Sequence, residues 1–272
     1  MAFPSSAQVH ERLKQSLEAG EVVSALWSPV WFSEGQEAAP DDWPAGLIEP
    51  RRGYRFRPEN LALPLIWGTR RQEALSIVDL GCGSGSLLML AAALARRDGV
   101  SKLRLAGIDV QEAMLDRLDR SLKAHGLSAT LLHGDLREPA MLEALSAQLG
   151  EHKAQLVLAN PPFFPESWGR PSSEASTHCS THALHGDVDD FMAAAATLLS
   201  PEGSALVVFD AQRLSALLLA AGRARLAPRR FVFLGDRRQG HEKEAFRVWI
   251  ELVHGEAIVE HSKQERGTRN EE

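Results

Sequence analysis

The chain has 272 residues, of which 44% are hydrophobic, so it is long enough to bury the core of one large α/β domain with additions. Its two cysteines, Cys82 and Cys179, are too few for a disulfide framework and favour a reducing compartment. No signal peptide opens the chain, and no apolar run approaches the ~20 residues of a membrane span, so we expect a cytoplasmic protein. The formal net charge of −6 argues mildly against a nucleic-acid partner, unless the arginines cluster on one face.

The first fifty residues combine a helical pattern with an irregular segment. Apolar residues recur at helical spacing over 9–26, which predicts a helix. The segment 28–50 is rich in proline, tryptophan and acids, as loops are. We therefore predict a helical and irregular appendage over 1–50, one large α/β domain that carries the activity over 51–260, and a disordered polar tail over 261–272.

Beyond Ile77, β-rich runs alternate with helical patterns, which is typical of a parallel sheet with helices on both faces. The predicted strands cover 76–80, 103–109, 129–133, 155–159, 204–210, 230–234 and 245–253. The predicted helices cover 86–97, 112–125, 139–149, 187–199 and 212–223. No helix separates the last two strands, so we expect them to form an antiparallel hairpin. In an open sheet of this kind, ligands bind beyond the carboxyl ends of the strands.

A glycine-rich turn, Gly81-Cys82-Gly83-Ser84-Gly85, follows the first of these strands. The glycines permit a tight turn and close backbone approach to a ligand, and the N-terminus of the next helix suits a carboxylate or phosphate. Such a turn fits a site for NAD, FAD or S-adenosylmethionine (SAM). The spacing of Gly81, Gly83 and Gly85, with Asp79 just before them, favours SAM, because this acid could bind the ammonium of the methionine moiety.

Two more acids end the second and third predicted strands. Asp109 could accept hydrogen bonds from both ribose hydroxyls, although a helix cap is an alternative role. With its sheet and final hairpin, the chain resembles the Rossmann-like SAM-dependent methyltransferases. That resemblance implies a seven-stranded, mostly parallel α/β sheet, and it implies that Asp135 faces the adenine amino group of SAM. A helix cap is the alternative for Asp135 as well.

Asn160-Pro161-Pro162-Phe163 follows the strand at 155–159. The side-chain oxygen of Asn160 and the carbonyl of Pro161 could each accept one N–H of a planar amino group, which would direct the nitrogen lone pair at a methyl donor. Phe163 or Phe164 would stack on the target ring. We assign Asn160 to both the catalytic and the cofactor-binding residues, together with the catalytic candidates Pro161, Pro162 and Phe163. The alternative is that the prolines merely end a strand and the phenylalanines are core.

Outer segments bring the chain closer to one family. Tyr54-Arg55-Phe56, the following Arg57-Pro-Glu-Asn60-Leu, and the late Lys243-Glu244-Ala resemble the bacterial adenine-N6 methyltransferases of valine tRNA. The resemblance covers about 54–253, with Phe163 where that family usually has tyrosine. It implies SAM as the cofactor and tRNA as the partner. The candidate substrate-binding residues are Tyr54, Arg55, Phe56, Phe164, Arg237, Arg238 and Lys243.

We therefore predict a SAM-dependent N-methyltransferase that acts on an exocyclic amino nitrogen, preferably N6 of adenine in tRNA. Alternatives are a guanine-N2 methyltransferase of ribosomal RNA, a protein-glutamine methyltransferase, or a non-catalytic RNA-binding module that kept the fold. His178, Cys179, His182 and His185 could serve zinc, but no second cluster accompanies them, so we expect no metal. We favour a monomer with no membrane partner.

Overall fold

The computed structural model describes residues 5–24, 26, 46–51, 57–68, 72–149, 153–162, 186–235 and 245–255. Its helices are α1 (Ser6–Gln15), α2 (Leu63–Trp67), α3 (Ser86–Arg97), α4 (Glu112–Ala124), α5 (Pro139–Leu149), α6 (Val188–Leu198) and α7 (Leu214–Arg223). Short 3-10 turns cover Pro58–Ala62 and Ala211–Arg213. None of the helices in these ranges is long and apolar enough to cross a membrane.

The strands form one small and one large sheet. The small sheet pairs β1 (Glu21–Ser24) with β2 (Leu47–Pro50). The large sheet contains β3 (Ala74–Leu80), β4 (Lys102–Asp109), β5 (Thr130–His133), β6 (Ala154–Ala159), β7 (Leu199–Asp210), β8 (Leu226–Gly235) and β9 (Ala245–His254). Its strand order is β5-β4-β3-β6-β7-β9-β8, and β9 runs antiparallel to both of its neighbours.

This arrangement confirms the predicted α/β fold with a mostly parallel seven-stranded sheet and an antiparallel C-terminal pair. Both faces of the sheet are covered, so β3 and β6 are almost entirely buried. One core lies between the sheet and α2, α3 and α4. The other lies between the sheet and α5, α6 and α7. Continuous apolar runs in β3 and β6 are what such double coverage requires, which is why the sequence predicted these strands well.

The helix predicted over 9–26 is wrong in its second half. A capping box of Ser5 and Gln8 starts α1, but the helix ends at Gln15. Gly20 then has φ 86°, a conformation that interrupts a right-handed helix, and the β-branched Val22 and Val23 lie in β1 instead. Pairing with β2 therefore outweighs the helical spacing of the apolar residues.

The N-terminal elements pack on α4. Val9 and Leu13 of α1 form a small apolar cluster with Ile48 of β2 and Ala124 of α4. The backbone N–H of Ile48 donates to the hydroxyl of Ser121 at 2.9 Å. These contacts place β2 against the C-terminal part of α4. The domain boundary expected near residue 50 stays a prediction.

Candidate active site

The candidate site lies at the point in the large sheet where the order of successive strands reverses. β3 has β4 on one side and β6 on the other, so the chain builds outward from β3 and then returns to its opposite edge. A crevice opens beyond the carboxyl ends of the strands at such a switch point. The structure places Asp79 near the end of β3, Asp109 at the end of β4 and Asn160 directly after β6, so these three residues lie at the carboxyl ends of adjacent strands.

The glycine turn after β3 has the conformation that its sequence requires. Gly81, Gly83 and Gly85 have φ of 64°, 52° and 89°, values that strain any residue with a side chain. A Cβ on Gly85 would lie 2.1 Å from Cδ1 of Leu118, whereas one on Gly83 would meet nothing within 4 Å. Gly85 is thus needed for packing, and Gly83 leaves open space. No side chain caps α3, whose N-terminus follows this space, so the turn fits the carboxylate of a methionine moiety.

Asp79 is buried beside this turn, with 1% of its surface exposed. Burial and, second, the charge of Asp109 raise the pKa of Asp79 well above its ordinary value, while a hydrogen bond from the Leu88 backbone works in the opposite direction. Its Oδ2 has no hydrogen-bond partner within the described ranges. A buried carboxyl group short of partners fits the ammonium of SAM, and this contact stays a prediction.

Asp109 ties the end of β4 to the glycine turn. Its Oδ2 accepts the backbone N–H of Gly83 at 2.8 Å, and its Oδ1 accepts that of Gln111 at 2.8 Å. The N-cap of α4 is Gln111, so Asp109 closes a turn before the helix and is not its cap residue. A carboxylate oxygen can accept more than one hydrogen bond, so these two bonds do not by themselves contradict the predicted contact with the ribose hydroxyls.

Asp135 follows β5 and forms an ion pair with Arg137. Nε of Arg137 lies 3.0 Å from each carboxylate oxygen of Asp135, and the backbone N–H of Arg137 donates to Oδ1 at 2.9 Å. The hydrogen bond from this guanidinium to Asp135 raises the pKa of Arg137. Asp135 is thus engaged by its own loop, and its predicted contact with adenine stays untested.

Asn160 is held by a residue to which the sequence assigned no role. Nδ2 of Asn160 donates to Oδ1 of Asn60 at 2.9 Å, and Nδ2 of Asn60 donates to the hydroxyl of Ser86 at 2.8 Å. Ser86 is the first residue of α3. The chain of bonds therefore links the tip of β6 to the helix that follows the glycine turn. Pro161 is buried and Pro162 half-buried, directly beyond Asn160.

A second unassigned residue supports the glycine turn from the N-terminal sheet. Glu49 of β2 is fully buried, and its Oε1 accepts the hydroxyl hydrogen of Ser84 at 2.9 Å. Ser84 lies between Gly83 and Gly85. The sequence offered no signal for this contact, because nothing local connects positions 49 and 84 and the burial of Glu49 is visible only in the structure.

Several predicted residues lie outside the described ranges. They are Phe163, Phe164, Tyr54, Arg55, Phe56, Arg237, Arg238, Lys243 and the cluster of His178, Cys179, His182 and His185. Their assignments stay predictions. Among the residues that the structure describes, no group of three or more His, Cys, Asp or Glu could hold a metal ion.

The strand order and the glycine turn at its switch point are those of the Rossmann-like methyltransferases. Comparison with known proteins agrees, because a family model described as "Methyltransferase domain" matches residues 77–149. That segment contains β3, the glycine turn and the acids that end β4 and follow β5. Residues 77–149 are therefore similar to a methyltransferase domain, and this likeness and the fold support SAM-dependent methylation with S-adenosylmethionine as the cofactor.

More specific relatives are distant. The chain is 29% identical to a release factor glutamine methyltransferase from Geobacter sulfurreducens over 35% of this chain and 29% of that protein. It is 26% identical to a tRNA1(Val) (adenine(37)-N6)-methyltransferase from Porphyromonas gingivalis over 68% of each protein. A solved structure, a predicted O-methyltransferase from Agrobacterium tumefaciens, is 19% identical with a TM-score of 0.49, covering 69% of this chain and 77% of that one. The chain thus spans less than a third of the first relative and about two thirds of the second.

Proposed function

We propose that this enzyme transfers a methyl group from SAM to an exocyclic amino nitrogen, and that its acceptor is N6 of adenine in a tRNA. One observation carries the proposal. Asn160 directly follows β6 at the switch point, and its amide nitrogen is bound to Asn60, which leaves the amide oxygen to accept a hydrogen bond from the substrate.

An amino group on an aromatic base is a weak nucleophile because its lone pair is delocalised into the ring. Two hydrogen bonds, one to Oδ1 of Asn160 and one to the carbonyl of Pro161, would draw its hydrogens to one side. The nitrogen then moves towards a tetrahedral geometry, with its lone pair directed away from these oxygens. Orientation and fixed dipoles supply the rate enhancement, and no strong general base is required.

Bound SAM supplies an electrophilic methyl group on a sulfonium; the N–C bond forms as the C–S bond breaks, and the acceptor nitrogen releases one proton. Gly83 and the N-terminus of α3 would hold the methionine carboxylate, with Asp79 near the ammonium. Asp109 fixes the glycine turn through Gly83. The part of the site that would hold SAM therefore keeps its geometry while the acceptor enters. Asn160, which would bind the acceptor, is linked to the part of the site that would hold SAM, because Asn60 and Ser86 connect it to α3.

Two features support a tRNA acceptor over other amines. The likeness to the tRNA enzyme extends over 188 residues, well beyond the part that binds SAM in any methyltransferase of this fold. In the sequence, Tyr54-Arg55-Phe56 supplies aromatic and cationic residues a few positions before Asn60. Flipped bases and phosphates are bound by such groups.

A second acceptor, the side-chain amide of a protein glutamine, is favoured by the match to the release factor enzyme. Its carboxamide is also planar and also presents two N–H groups, so Asn160 and Pro161 could bind it in the same way. The two acceptors differ in what surrounds the amide, namely a stacked base or a polypeptide.

The test offers the enzyme and methyl-labelled SAM to separate pools of bacterial tRNA, ribosomal RNA, DNA and release factor. Mass spectrometry of the digested products then identifies the modified atom. We expect label in N6-methyladenosine from tRNA; label only in N5-methylglutamine or N2-methylguanosine would replace the proposed acceptor.

The residue test is Asn160→Ala. Turnover of this variant should fall at least about 100-fold, because the amide oxygen that binds the acceptor is lost, and SAM affinity should fall far less than turnover even if Asn160 also contacts the cofactor. Turnover close to that of the wild type would remove the proposed mechanism for every acceptor.

A further inference from the structure

Asn60 lies between Asn160, which would bind the acceptor, and the start of α3, which would bind SAM. It is 5% exposed, and its amide bonds both Asn160 and Ser86. A hundred residues of sequence separate Asn60 from Asn160. The pair is therefore a tertiary contact, formed only once the 3-10 turn Pro58–Ala62 packs against the ends of β6 and α3.

The direction of this contact matters because an amide has two different ends. In the structure the oxygen of Asn60 accepts from the nitrogen of Asn160. The oxygen of Asn160 then faces the other way, as an acceptor for an amino group. Were the amide of Asn160 turned over, its NH2 would face the NH2 of the substrate, and two donors without an acceptor would meet in a buried site.

The 3-10 turn is itself fixed by β9, so Asn60 does not move freely. Nε1 of Trp249 donates to the carbonyl of Glu59 at 3.0 Å. Nε of Arg247 donates to Oε1 of Glu59 at 3.1 Å, and Nη1 of Arg247 donates to Asp210 at 2.9 Å. Trp249 is fully buried. Asn60 is thus presented from a rigid support, as a group that orients another side chain must be.

We propose that Asn60 is a positioning residue that fixes the amide of Asn160 with its oxygen towards the acceptor. This rests on the proposed N-methyltransferase function. The hydroxyl of Ser86 accepts from Nδ2 of Asn60, and Oδ1 of Asn60 is the end that faces Asn160 in the structure.

The first experiment measures kcat, KM for the methylated acceptor, SAM affinity and thermal stability in Asn60→Ala and Asn60→Asp. Asn60→Ala removes the group that selects one orientation, and kcat should fall about 10- to 100-fold with SAM affinity unchanged. Asn60→Asp still offers an acceptor to Asn160, and it should retain most of the wild-type kcat. Equal losses in both variants at wild-type stability would overturn the proposal.

The second experiment repeats Asn60→Ala in an Asn160→Asp background. A carboxylate presents an acceptor oxygen in either orientation, so it needs no selection by Asn60. The loss of kcat caused by Asn60→Ala should then shrink to less than about threefold. An undiminished loss would mean that Asn60 merely supports the fold, and the proposal would be wrong.

The two proposals fail in different ways. If Asn160→Ala stays active, the function proposed for Asn160 is wrong. If Asn160→Ala is inactive but Asn60→Ala turns over at the wild-type rate, only the positioning role of Asn60 is wrong. Both variants are assayed on the same tRNA and release factor pools, so the identity of the acceptor does not bias the comparison.

Discussion

Asp109 holds the glycine turn, which a strand-tip acid in a sequence does not reveal. It is predicted to bind the ribose, and in the structure both of its oxygens accept backbone N–H groups, from Gly83 and Gln111. A carboxylate that accepts from Gly83 fixes the turn that is predicted to hold the methionine moiety. Its loss should therefore affect the whole cofactor and not only the sugar.

We expect Asp109→Ala to weaken SAM binding at least about tenfold, because a charge-assisted hydrogen bond contributes roughly 1.5–3 kcal/mol. Calorimetric titration with S-adenosylhomocysteine measures the effect. Asp119→Ala is the matched control, because it also removes an aspartate carboxylate. Asp119 pairs with Lys123 on the surface of α4, and both side chains are exposed. An unchanged dissociation constant in Asp109→Ala would contradict the predicted ribose contact and would mean that the hydrogen bond to Gly83 does not affect SAM binding.

Asp79 makes a prediction about pH. Its pKa in the folded protein is raised by burial and by Asp109, so the unfolded chain ionises first as the pH rises. The group therefore costs stability progressively from about pH 4 upward, until the pH passes its raised pKa. Asp79→Asn removes this cost and keeps an oxygen for the Leu88 backbone.

The free energy of unfolding, measured in urea without cofactor at pH 4, 6 and 8, should favour Asp79→Asn over the wild type by an amount that grows with pH. The same variant should bind SAM more weakly, because a neutral amide cannot pair with an ammonium. A stability difference that is constant across this range would contradict the raised pKa.

At the scale of elements, the small N-terminal sheet acts as a support for the cofactor turn. Glu49 of β2 reaches Ser84, and Ile48 beside it bonds Ser121 of α4. The sequence predicted a helix over 9–26 and an irregular segment over 28–50 where these two strands lie. The two-stranded pairing was not predictable, because β1 and β2 are separated by a long intervening segment and each strand has only four residues.

Ser84→Ala tests this support. It removes the hydroxyl that donates to a fully buried carboxylate, so we expect a loss of about 1–3 kcal/mol in the free energy of unfolding and weaker binding of SAM. Ser101→Ala removes a hydroxyl that donates to the carbonyl of Glu73 at an exposed position, and should change stability by less than about 0.5 kcal/mol. Equal effects of the two substitutions would show that Glu49 does not depend on Ser84.

Over the whole molecule, local patterns predicted the sheet better than the contacts across it. Buried parallel strands such as β3 and β6 carry continuous apolar runs, and the residues after them fall at one edge of the sheet as a geometric consequence. Asp79, Asp109 and Asn160 could be placed in this way. Asn60 and Glu49 could not, since their partners Asn160 and Ser84 are distant in sequence and only the folded chain brings them together.

Glu21 of β1 links the N-terminal elements to α4 through two arginines. Both of its oxygens accept from Arg120, at 2.7 and 2.8 Å, and Nε of Arg117 lies 2.7 Å from Oε1. Burial alone would raise the pKa of Glu21, but hydrogen bonds from Arg120 and Glu18 and the charges of both arginines lower it overall. Ionised Glu21 therefore stabilises the fold above its unfolded pKa of about 4.3, and this contribution is lost as the pH falls through the lower folded value.

Glu21→Gln should consequently lower the free energy of unfolding by about 2 kcal/mol at pH 7, since hydrogen bonds to charged groups contribute roughly that much. The deficit should shrink towards zero at acidic pH, which is the opposite trend to that of Asp79→Asn. Urea unfolding at pH 3, 5 and 7 measures the free energy of unfolding of Glu21→Gln and of the wild type in the same buffers. Because the described partners of the Glu21 carboxylate are Arg117, Arg120 and Glu18 and none belongs to the glycine turn, SAM affinity at pH 7 should remain within about twofold of the wild type under conditions where the variant is folded. A deficit that persists unchanged at pH 3 would mean that Glu21 contributes through packing and not through its charge.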